Sequence, residues 1–475
     1  MNPILNLISL IGIAALCGIA WLGSEDRSRI PWKVITWGIG LQLVIGAVVF
    51  LLGSGLVEGL STLLNAVLDA SEAGAKFLFG AGIVPVPATS PGPGPAGRWL
   101  ARAVGSAYVA VPGDRLGYDN LNFGYILAFR ALPQVIFFSG LISLLYRLRI
   151  IQPIVQFFAV IFRRTMGISG AEALSGAANI FVGIESAIAI KPFLLNMTRS
   201  EICAILSSCF GSIASSVLAL YAGFLRPDFP NITGHLVSAS IMTIPACFVL
   251  SKILVPETGE PETLGHVPEE KEDEDPSKRP SPMDSLIVGA LDGVKMAVGI
   301  AAVLIAILGL VALVNLVFGT LANLSNHSFP VFAAIGEFFK LISLENILGF
   351  LFVPFTFLTG VSLDPSELWQ ASTLIGRRLL ETNVPPYIAL GQLYKAQAIS
   401  DRALLIVSYV LCGFTHFASY GIFVGGVSSL IPSRRSEVSS LGFKALWVGT
   451  LATLMTGCVA GLFYIGNASS VLGGG

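Results

Sequence analysis

Long apolar stretches separated by short polar segments dominate the chain. Eight of them have a length of about 20 residues, which is what a helix needs to cross the hydrocarbon core of a bilayer. They lie near residues 3–23, 32–53, 123–146, 202–225, 233–255, 296–321, 403–430 and 441–466. The pattern therefore predicts about eight transmembrane helices.

Four further segments are too short or too polar to cross a membrane alone. The stretches at 56–79 and 150–166 are amphipathic, whereas 168–196 and 330–393 mix apolar turns with glycine, proline and charged residues. In hydrocarbon every backbone polar group needs a partner within the protein, so the mixed segments should face protein or a water-filled cavity. The second of them also contains an amphipathic run at 331–342 and an apolar run at 347–361, and we interpret the polar parts of the two segments, around 179–186 and 379–386, as re-entrant helical hairpins.

The composition supports a membrane protein. Of 475 residues, 54% are hydrophobic and only 12% are charged, with a mean hydropathy of +0.79, more than a soluble core of this length could bury. The net charge of −1 and the scattered basic residues give no footprint for nucleic acid. Six cysteines without metal-ligand or disulfide spacing are expected to pack as small apolar residues.

Two connecting segments divide the chain. Residues 84–122 are rich in proline and glycine and are predicted to form an irregular external loop; residues 256–284 are highly charged and are predicted to be a solvated linker with little structure. The basic residues near the predicted span ends place this linker in the cytoplasm and both termini outside. The first apolar run has no basic leader or cleavage motif, so we expect it to be the first span.

The two halves on either side of the linker repeat one pattern. N-I-F-V-G-I-E-S at 179–186 precedes a span that contains C-F-G-S-I-A-S-S at 209–216, and L-L-E-T-N-V-P-P at 379–386 precedes a span that contains C-G-F-T-H-F-A-S at 412–419. Paired hairpins and interrupted spans in two halves indicate a binding site near the membrane midplane. The alternative is that these small residues only let helices pack closely.

Several blocks resemble the concentrative nucleoside transporter family. They include T-M-G-I-S-G-A-E-A-L-S-G-A-A-N-I-F-V-G (165–183), G-S-I-A-S-S-V-L-A-L-Y-A (211–222) and L-C-G-F-T-H-F-A-S-Y-G-I-F-V-G-G (411–426). The resemblance covers most of residues 123–466. It implies an all-α polytopic fold with two hairpins in inverted repeats, a scaffold region, and a transport region that moves like an elevator.

The resemblance also implies sites, an ion and an assembly. A sodium-driven importer of nucleosides or related small polar solutes is expected, as a homotrimer in a bacterial inner membrane, with no enzymatic cofactor. Sodium is expected at Asn179, Val182, Ser212 and Ile213. Substrate is expected at Ile184, Glu185, Ser186, Val217, Asn383, His416 and Ser419. We divide the chain into four regions accordingly. Residues 1–122 comprise the N-terminal scaffold helices, an amphipathic helix and the external loop. Residues 123–255 and 285–475 are the two repeats, and residues 256–284 are the linker between them.

The chain departs from the family at both hairpin tips. The family's G-Q-T-E-A-P is replaced by Gly183 to Ile188, and its N-E-F-V-A-Y by the segment 382–387, T-N-V-P-P-Y. The family's base-binding glutamate and ribose-binding glutamate thus fall on Ser186 and Asn383. Either Glu185 and Glu381 take over these tasks, or the pocket is rebuilt for modified nucleosides, nucleobases or another small polar solute.

His416 replaces a family asparagine and leaves several functions open. A histidine in an interrupted span can relay protons, in a pair with Glu185 or Glu381, or can simply replace the amide as a neutral hydrogen-bonding group. Three further functions compete with sodium-driven import: a proton-coupled transporter on the same fold, a channel-like or receptor homologue, and a membrane hydrolase using Glu185, His416 and Ser419. No nucleophile elbow or zinc-hydrolase motif supports a hydrolase.

Overall fold

The computed structural model describes residues 3–52, 54–80, 83–84, 126–183, 186–267, 281–326, 329–340, 342–466 and 472. These residues are almost entirely helical and no strand occurs among them, which confirms the predicted all-α class. Except for Val84, the predicted loop at 84–122 lies outside the described residues.

Eighteen α-helices are described, and the chain order follows the predicted spans closely. In order they are α1 (Pro3–Leu22), α2 (Trp32–Ala47), α3 (Ser54–Phe79), α4 (Leu127–Arg147), α5 (Ile151–Met166), α6 (Gly170–Ala178), α7 (Ser186–Ala189), α8 (Arg199–Gly211), α9 (Ser215–Leu225), α10 (Ile232–Leu254), α11 (Pro282–Ala322), α12 (Pro330–Lys340), α13 (Leu344–Leu358), α14 (Pro365–Glu381), α15 (Val384–Lys395), α16 (Asp401–Val410), α17 (Phe417–Leu430) and α18 (Arg435–Phe463).

Among the described residues, six continuous helices are long and apolar enough to cross a membrane, namely α1, α2 with its π-helical extension, α4, α10, α11 and α18. The remaining two predicted spans, 202–225 and 403–430, each consist of two helices, α8 with α9 and α16 with α17. The eight predicted spans are thus six continuous and two interrupted ones. Both interruptions fall in the glycine-containing and serine-containing segments.

Helix α11 begins at Pro282, well before the predicted span at 296–321. Ser281 accepts a hydrogen bond from the backbone N–H of Asp284, and the Asp284 carboxylate accepts one from Ser281, so the helix start is a capping box with proline at its first turn. Hydropathy does not detect such a polar start. The end of the predicted linker is therefore helical.

The region 330–393 contains more than a hairpin. Helices α12 and α13 meet at a bend of 63°, and the hairpin itself is formed by α14 and α15. In the first half the amphipathic helix α5 precedes the hairpin of α6 and α7. In each half one or two further helices therefore precede the hairpin, and an interrupted span and a long helix follow it.

The long helices α10 and α18 form the centre of the molecule. Their most apolar windows are 89% and 83% buried, compared with 17% for α11. They pack against each other, and the hydroxyls of Thr243 and Thr456 are 3.0 Å apart across the contact. Helix α11 instead packs along α4, and its large exposed apolar surface is available to lipid or to another subunit.

Part of the predicted linker is folded. Residues 255–267, called here the strap, cross the start of the first hairpin. The Thr263 carbonyl accepts from Gly170 N–H at 3.0 Å and its hydroxyl accepts from Ala171 N–H at 3.0 Å, so the strap satisfies free N–H groups at the start of α6. This part of the predicted linker forms turns rather than a helix or a strand, and specific hydrogen bonds bind it to the first half.

A buried ion cluster lies beneath the strap. The Lys252 ammonium, on α10, pairs with the Glu172 carboxylate of α6 and, at 3.2 Å, with Glu257 of the strap. Glu257 also accepts a hydrogen bond from the hydroxyl of Thr198, the N-cap of α8, at 2.9 Å. One cation therefore holds the hairpin, the interrupted span and the strap together.

Candidate functional site

The first hairpin begins with a capping box and ends at an asparagine. Ser169 and Glu172 exchange hydrogen bonds at the start of α6, a signal that S-G-A-E already carries in sequence. Helix α6 is fully buried, and its small residues permit this. Asn179 follows as the C-cap residue and is itself completely buried.

Asn179 presents a free oxygen inside the protein. Its side-chain Nδ2 donates to Ser208 Oγ at 2.9 Å, while Oδ1 has no hydrogen-bond partner among the residues that the structure describes. A buried amide oxygen without a partner costs free energy unless a ligand fills the place. Sodium is a hard cation that takes neutral oxygen ligands, so this side chain fits the predicted ion.

The other predicted sodium residues lie at the adjoining break. Ser212 ends α8 and Ile213 follows it, both almost completely buried. The Ser212 hydroxyl donates to the Ser208 carbonyl at 2.8 Å, so its lone pairs remain available. Val182, in the hairpin turn, is also buried, and the neighbouring Phe181 carbonyl accepts from Ser215 N–H at 3.0 Å. The hairpin and the break between α8 and α9 are thus held together, as an ion site shared by both requires.

The two interruptions meet each other. The backbone N–H of Phe414, in the break between α16 and α17, donates to the carbonyl of Ser212 at 3.3 Å. Each break frees carbonyl groups at the end of one helix and N–H groups at the start of the next. Polar backbone from both repeats is therefore gathered at one place in an otherwise apolar protein.

The predicted substrate residues are only partly described. Ile184 and Glu185 lie outside the described residues. Ser186 is buried and its hydroxyl is 3.4 Å from that of Ser175. Val217 is buried in the first turn of α9, a helix that packs against α15 of the second hairpin.

Asn383, His416 and Ser419 lie around the second break. Asn383 Nδ2 donates to the carbonyls of Leu411 and Gly413. His416 is the N-cap of α17 and its Nδ1 accepts from Ser419 N–H at 3.1 Å. The Ser419 hydroxyl donates to the carbonyl of His416 at 2.6 Å. These three side chains are thus brought to one break, where each also stabilises the local backbone.

The geometry disfavours His416 as a proton carrier. Nδ1 serves as a hydrogen-bond acceptor for the helix cap, so a proton on that nitrogen would break the cap and place a positive charge at a helix N-terminus. Glu381, one of its predicted partners, is bound instead by Arg377, with Nη2 to Oε2 at 2.9 Å. The structure therefore favours the neutral hydrogen-bonding interpretation.

Sequence reasoning missed two features of this region. The rings of Tyr221 and Tyr387 stack with centroids 4.6 Å apart and join α9 to α15. Arg378 is almost completely buried, and its Nη1 donates to the carbonyl of Val410 and to the hydroxyl of Thr453. Arg378 could have been singled out from the sequence, because it is a charged residue within a hairpin segment. The tyrosine stack has no local sequence signal.

Three family models match the chain. The model described as "Na+ dependent nucleoside transporter C-terminus" matches residues 235–461, the corresponding N-terminus model matches 11–82, and a gate model described as "Nucleoside recognition" matches 128–228. Together they span both hairpin regions and both interrupted helices.

Similar proteins include both uncharacterised and named transporters. An "Uncharacterized transporter" of Haemophilus influenzae is 31% identical, with 98% of this chain and 99% of that protein covered. "Uncharacterized transporter YutK" of Bacillus subtilis is 32% identical, with 96% and 99% covered. "Solute carrier family 28 member 3" of Eptatretus stoutii is 30% identical over 97% of this chain, which spans only 61% of that longer protein.

Solved structures show the same architecture. CNTnw in an inward-facing substrate-bound state is similar with a TM-score of 0.79 at 30% identity, covering 97% of this chain and 98% of that one. A CNTnw variant in an outward-facing state has a TM-score of 0.78 at 30% identity, with 96% and 97% covered. The chain therefore belongs to the sodium-dependent, concentrative nucleoside transporter family, and is a multi-pass membrane transporter rather than an enzyme.

Proposed function

We propose that this protein imports nucleosides or closely related solutes, driven by a sodium gradient. The observation that carries the proposal is the buried Asn179 Oδ1, which has no hydrogen-bond partner within the described part of the chain, on a side chain that is bonded to Ser208 just before the break that follows α8. Asn179 and Ser212 supply side-chain oxygens, and main-chain carbonyls of Val182 and Ile213 complete the sodium site. Family membership supports sodium coupling over proton coupling.

The substrate binds where the two breaks meet. Ser186 and Val217 contribute from the first repeat, and Asn383, His416 and Ser419 from the second; Ile184 and Glu185 belong to the same set. Asn383 Oδ1 and Thr415 Oγ1 are buried, and no described residue forms a hydrogen bond with either atom, so both are available to donors on a ligand. A site whose polar groups would be left unpaired rejects ligands that lack the complementary groups. Because the hairpin tips carry other polar groups than the family does, they favour modified nucleosides or nucleobases as substrates. Ordinary nucleosides are the second possibility.

Transport follows an elevator-like shift of the hairpins and interrupted helices against a scaffold. We assign the protein to a homotrimer in a bacterial inner membrane. The exposed apolar surface of α11 supports both a lipid contact and a subunit contact. Two relatives that match this chain over nearly their whole length are bacterial. The partition into 1–122, 123–255, 256–284 and 285–475 stays a prediction.

The test is uptake of labelled nucleosides into proteoliposomes with and without an inward sodium gradient. Wild type should accumulate substrate above the external concentration only with sodium, and Asn179→Ala should lose that stimulation. Asn196→Ala is the matched control, because Asn196 is an exposed asparagine beyond the same hairpin. Sodium-independent uptake by the wild-type protein would exclude the coupling, and purely downhill flux would favour a channel-like homologue.

A further inference from the structure

An open cavity lies between the helices α17 and α18, close to the junction that joins them. Its volume is 710 Å³, and it is lined by Tyr420 of α17, by residues of the junction, and by the first turns of α18 as far as Phe443. None of the described sodium and substrate residues lines it. The cavity is therefore separate from the site proposed for transport.

The cavity lies at the end of the molecule that also carries the strap. Arg434, within the junction, donates to the carbonyls of Leu195 and Met197. These carbonyls come just before Thr198, which is bonded to Glu257 of the strap. The basic residues near the span ends place this end in the cytoplasm. The cavity should therefore face the cytoplasmic leaflet, which contains anionic lipids.

Arg435 gives the outer end of the cavity a positive charge. The preceding residue, Arg434, pairs with Glu437 at 2.7 Å. The guanidinium of Arg435, by contrast, is exposed and takes part in no ion pair or hydrogen bond among the residues that the structure describes. A guanidinium presents a planar set of donors that matches the oxygens of a phosphate group. Serine residues line the cavity beside Arg435, and their hydroxyls can donate to the same phosphate.

The deeper end of the cavity is aromatic. The ring centroids of Tyr420 and Phe443 are 4.6 Å apart, and the Tyr420 hydroxyl donates to the Ser439 carbonyl at 3.0 Å. Phe443 is 61% exposed and lies about 12 Å beyond Arg435 along α18, given the usual rise per residue of a helix. A phosphate-binding end followed by an apolar end matches the headgroup and the upper acyl chain of a phospholipid. A small soluble anion would make no use of the two rings.

We propose that this cavity binds an anionic phospholipid of the cytoplasmic leaflet, with the lipid phosphate at Arg435 and the glycerol and first acyl carbons along Tyr420 and Phe443. Basic pockets between transmembrane helices on the cytoplasmic side bind lipid headgroups in other membrane proteins. The bound lipid lies next to Arg434, which holds the segment that follows the first hairpin. The proposal depends neither on the identity of the cargo nor on that of the coupling ion.

The experiment titrates the purified full-length protein, in a neutral detergent, with phosphatidylglycerol or phosphatidylcholine and follows its thermal unfolding. A ligand that binds the folded protein raises the unfolding temperature, so phosphatidylglycerol should stabilise wild type more than phosphatidylcholine does. Arg435→Gln should need roughly fivefold more phosphatidylglycerol for half of the maximal shift, the usual effect of one basic residue at a membrane surface.

Two further variants accompany this comparison. Phe443→Ala removes the exposed ring at the deeper end and should also weaken the response to phosphatidylglycerol. Arg29→Gln is the matched control, because Arg29 is an exposed arginine in the loop between α1 and α2, on the same predicted side of the membrane. Its titration should equal that of wild type.

Two results would overturn the inference. One is the same titration with phosphatidylglycerol for wild type and Arg435→Gln, or no response of wild type to this lipid. The other is an equally large, Arg435-dependent shift with soluble glycerol phosphate at the same concentrations, which would assign the cavity to a soluble anion. Because the Arg435 side chain is exposed, its replacement leaves the packed core unchanged. Either result would leave sodium-driven uptake untouched.

Discussion

Gly413 and Gly211 lie so close together that a Cβ atom on Gly413 would come within 2.6 Å of the Gly211 carbonyl oxygen. Backbone atoms of the two interrupted spans therefore touch directly, with no side chain between them. This contact requires glycine for space, since the opposing atom is backbone and cannot rotate away.

Replacement of Gly413 by alanine should force the two breaks apart. We expect Gly413→Ala to lose most uptake and to be destabilised by about 1–3 kcal/mol, the usual cost of overpacking. The measurement is initial uptake together with thermal unfolding of purified protein. Gly421→Ala is the control, because a Cβ atom there meets nothing within 4 Å. Equal activity of the two variants would contradict the direct backbone contact between the two interrupted spans.

The Ser208 side chain should affect the affinity for sodium without contacting the ion. Its hydroxyl accepts from Asn179 Nδ2 and thereby orients the amide oxygen. Loss of one such hydrogen bond is worth about 1 kcal/mol, or roughly a fivefold change in an equilibrium constant. We expect Ser208→Ala to raise the sodium concentration for half-maximal uptake by about this factor, with less effect at saturating sodium. Ser207→Ala, at the adjacent buried position, should leave the sodium dependence unchanged.

The buried cation Lys252 should be essential to stability. Lys252→Met leaves the carboxylates of Glu172 and Glu257 without their partner, and removal of one member of a buried pair costs about 3–5 kcal/mol. Unfolding of the purified variant should therefore begin at a clearly lower temperature. Addition of Glu172→Gln to Lys252→Met should recover part of the loss, since the two residues are coupled. Additive effects of the two substitutions would refute the coupling.

Glu25 should make stability depend on pH. This residue lies in the loop between α1 and α2, where a hydrogen bond from Arg199, reinforced by Lys444, lowers its pKa below the usual glutamate range. A lowered native pKa means that the ionised carboxylate stabilises the fold above the usual pKa, and that this contribution is lost as pH falls through the native value. Glu25→Gln should unfold at a lower temperature than wild type at neutral pH. The difference should vanish in acid; a deficit independent of pH would exclude the ionic contribution.

The protein should tolerate replacement of His416 by asparagine, the residue that the family has at this position. Because His416 caps α17 through an unprotonated nitrogen, His416→Asn retains an acceptor for the same N–H group. We expect wild type and His416→Asn to have the same pH profile of uptake. A pH dependence that disappears in the variant would restore the proton-relay hypothesis.

Much of the fold could be predicted from hydropathy and local signals. Six spans follow directly from apolar length, and both interruptions follow from glycine and serine clusters within apolar runs. The capping boxes at Ser169 and Ser281 are visible in sequence too, although only the structure reveals that the second one extends α11 far beyond its apolar part. The tertiary contacts of the strap have no comparable local signal.

The candidate site was predictable as a location but not as a set of contacts. Polar residues within the hairpin segments indicated where ions and substrate bind. The direction of the Asn383 amide depends on the two prolines and on carbonyls almost thirty positions later, and the Tyr221 and Tyr387 rings meet only through the packing of separate repeats. Such pairings arise from the tertiary arrangement, which local patterns do not encode.

The strap also shows where the gene product could be divided. Through Thr263 and Glu257 the segment up to Val267 is bonded to α6 and α8, so the first half is complete only when it includes these residues. Two separately expressed polypeptides should reassemble into a working protein when the division falls after Val267. A division before Val255 would remove the acceptors that cover the first hairpin and leave its amide groups exposed.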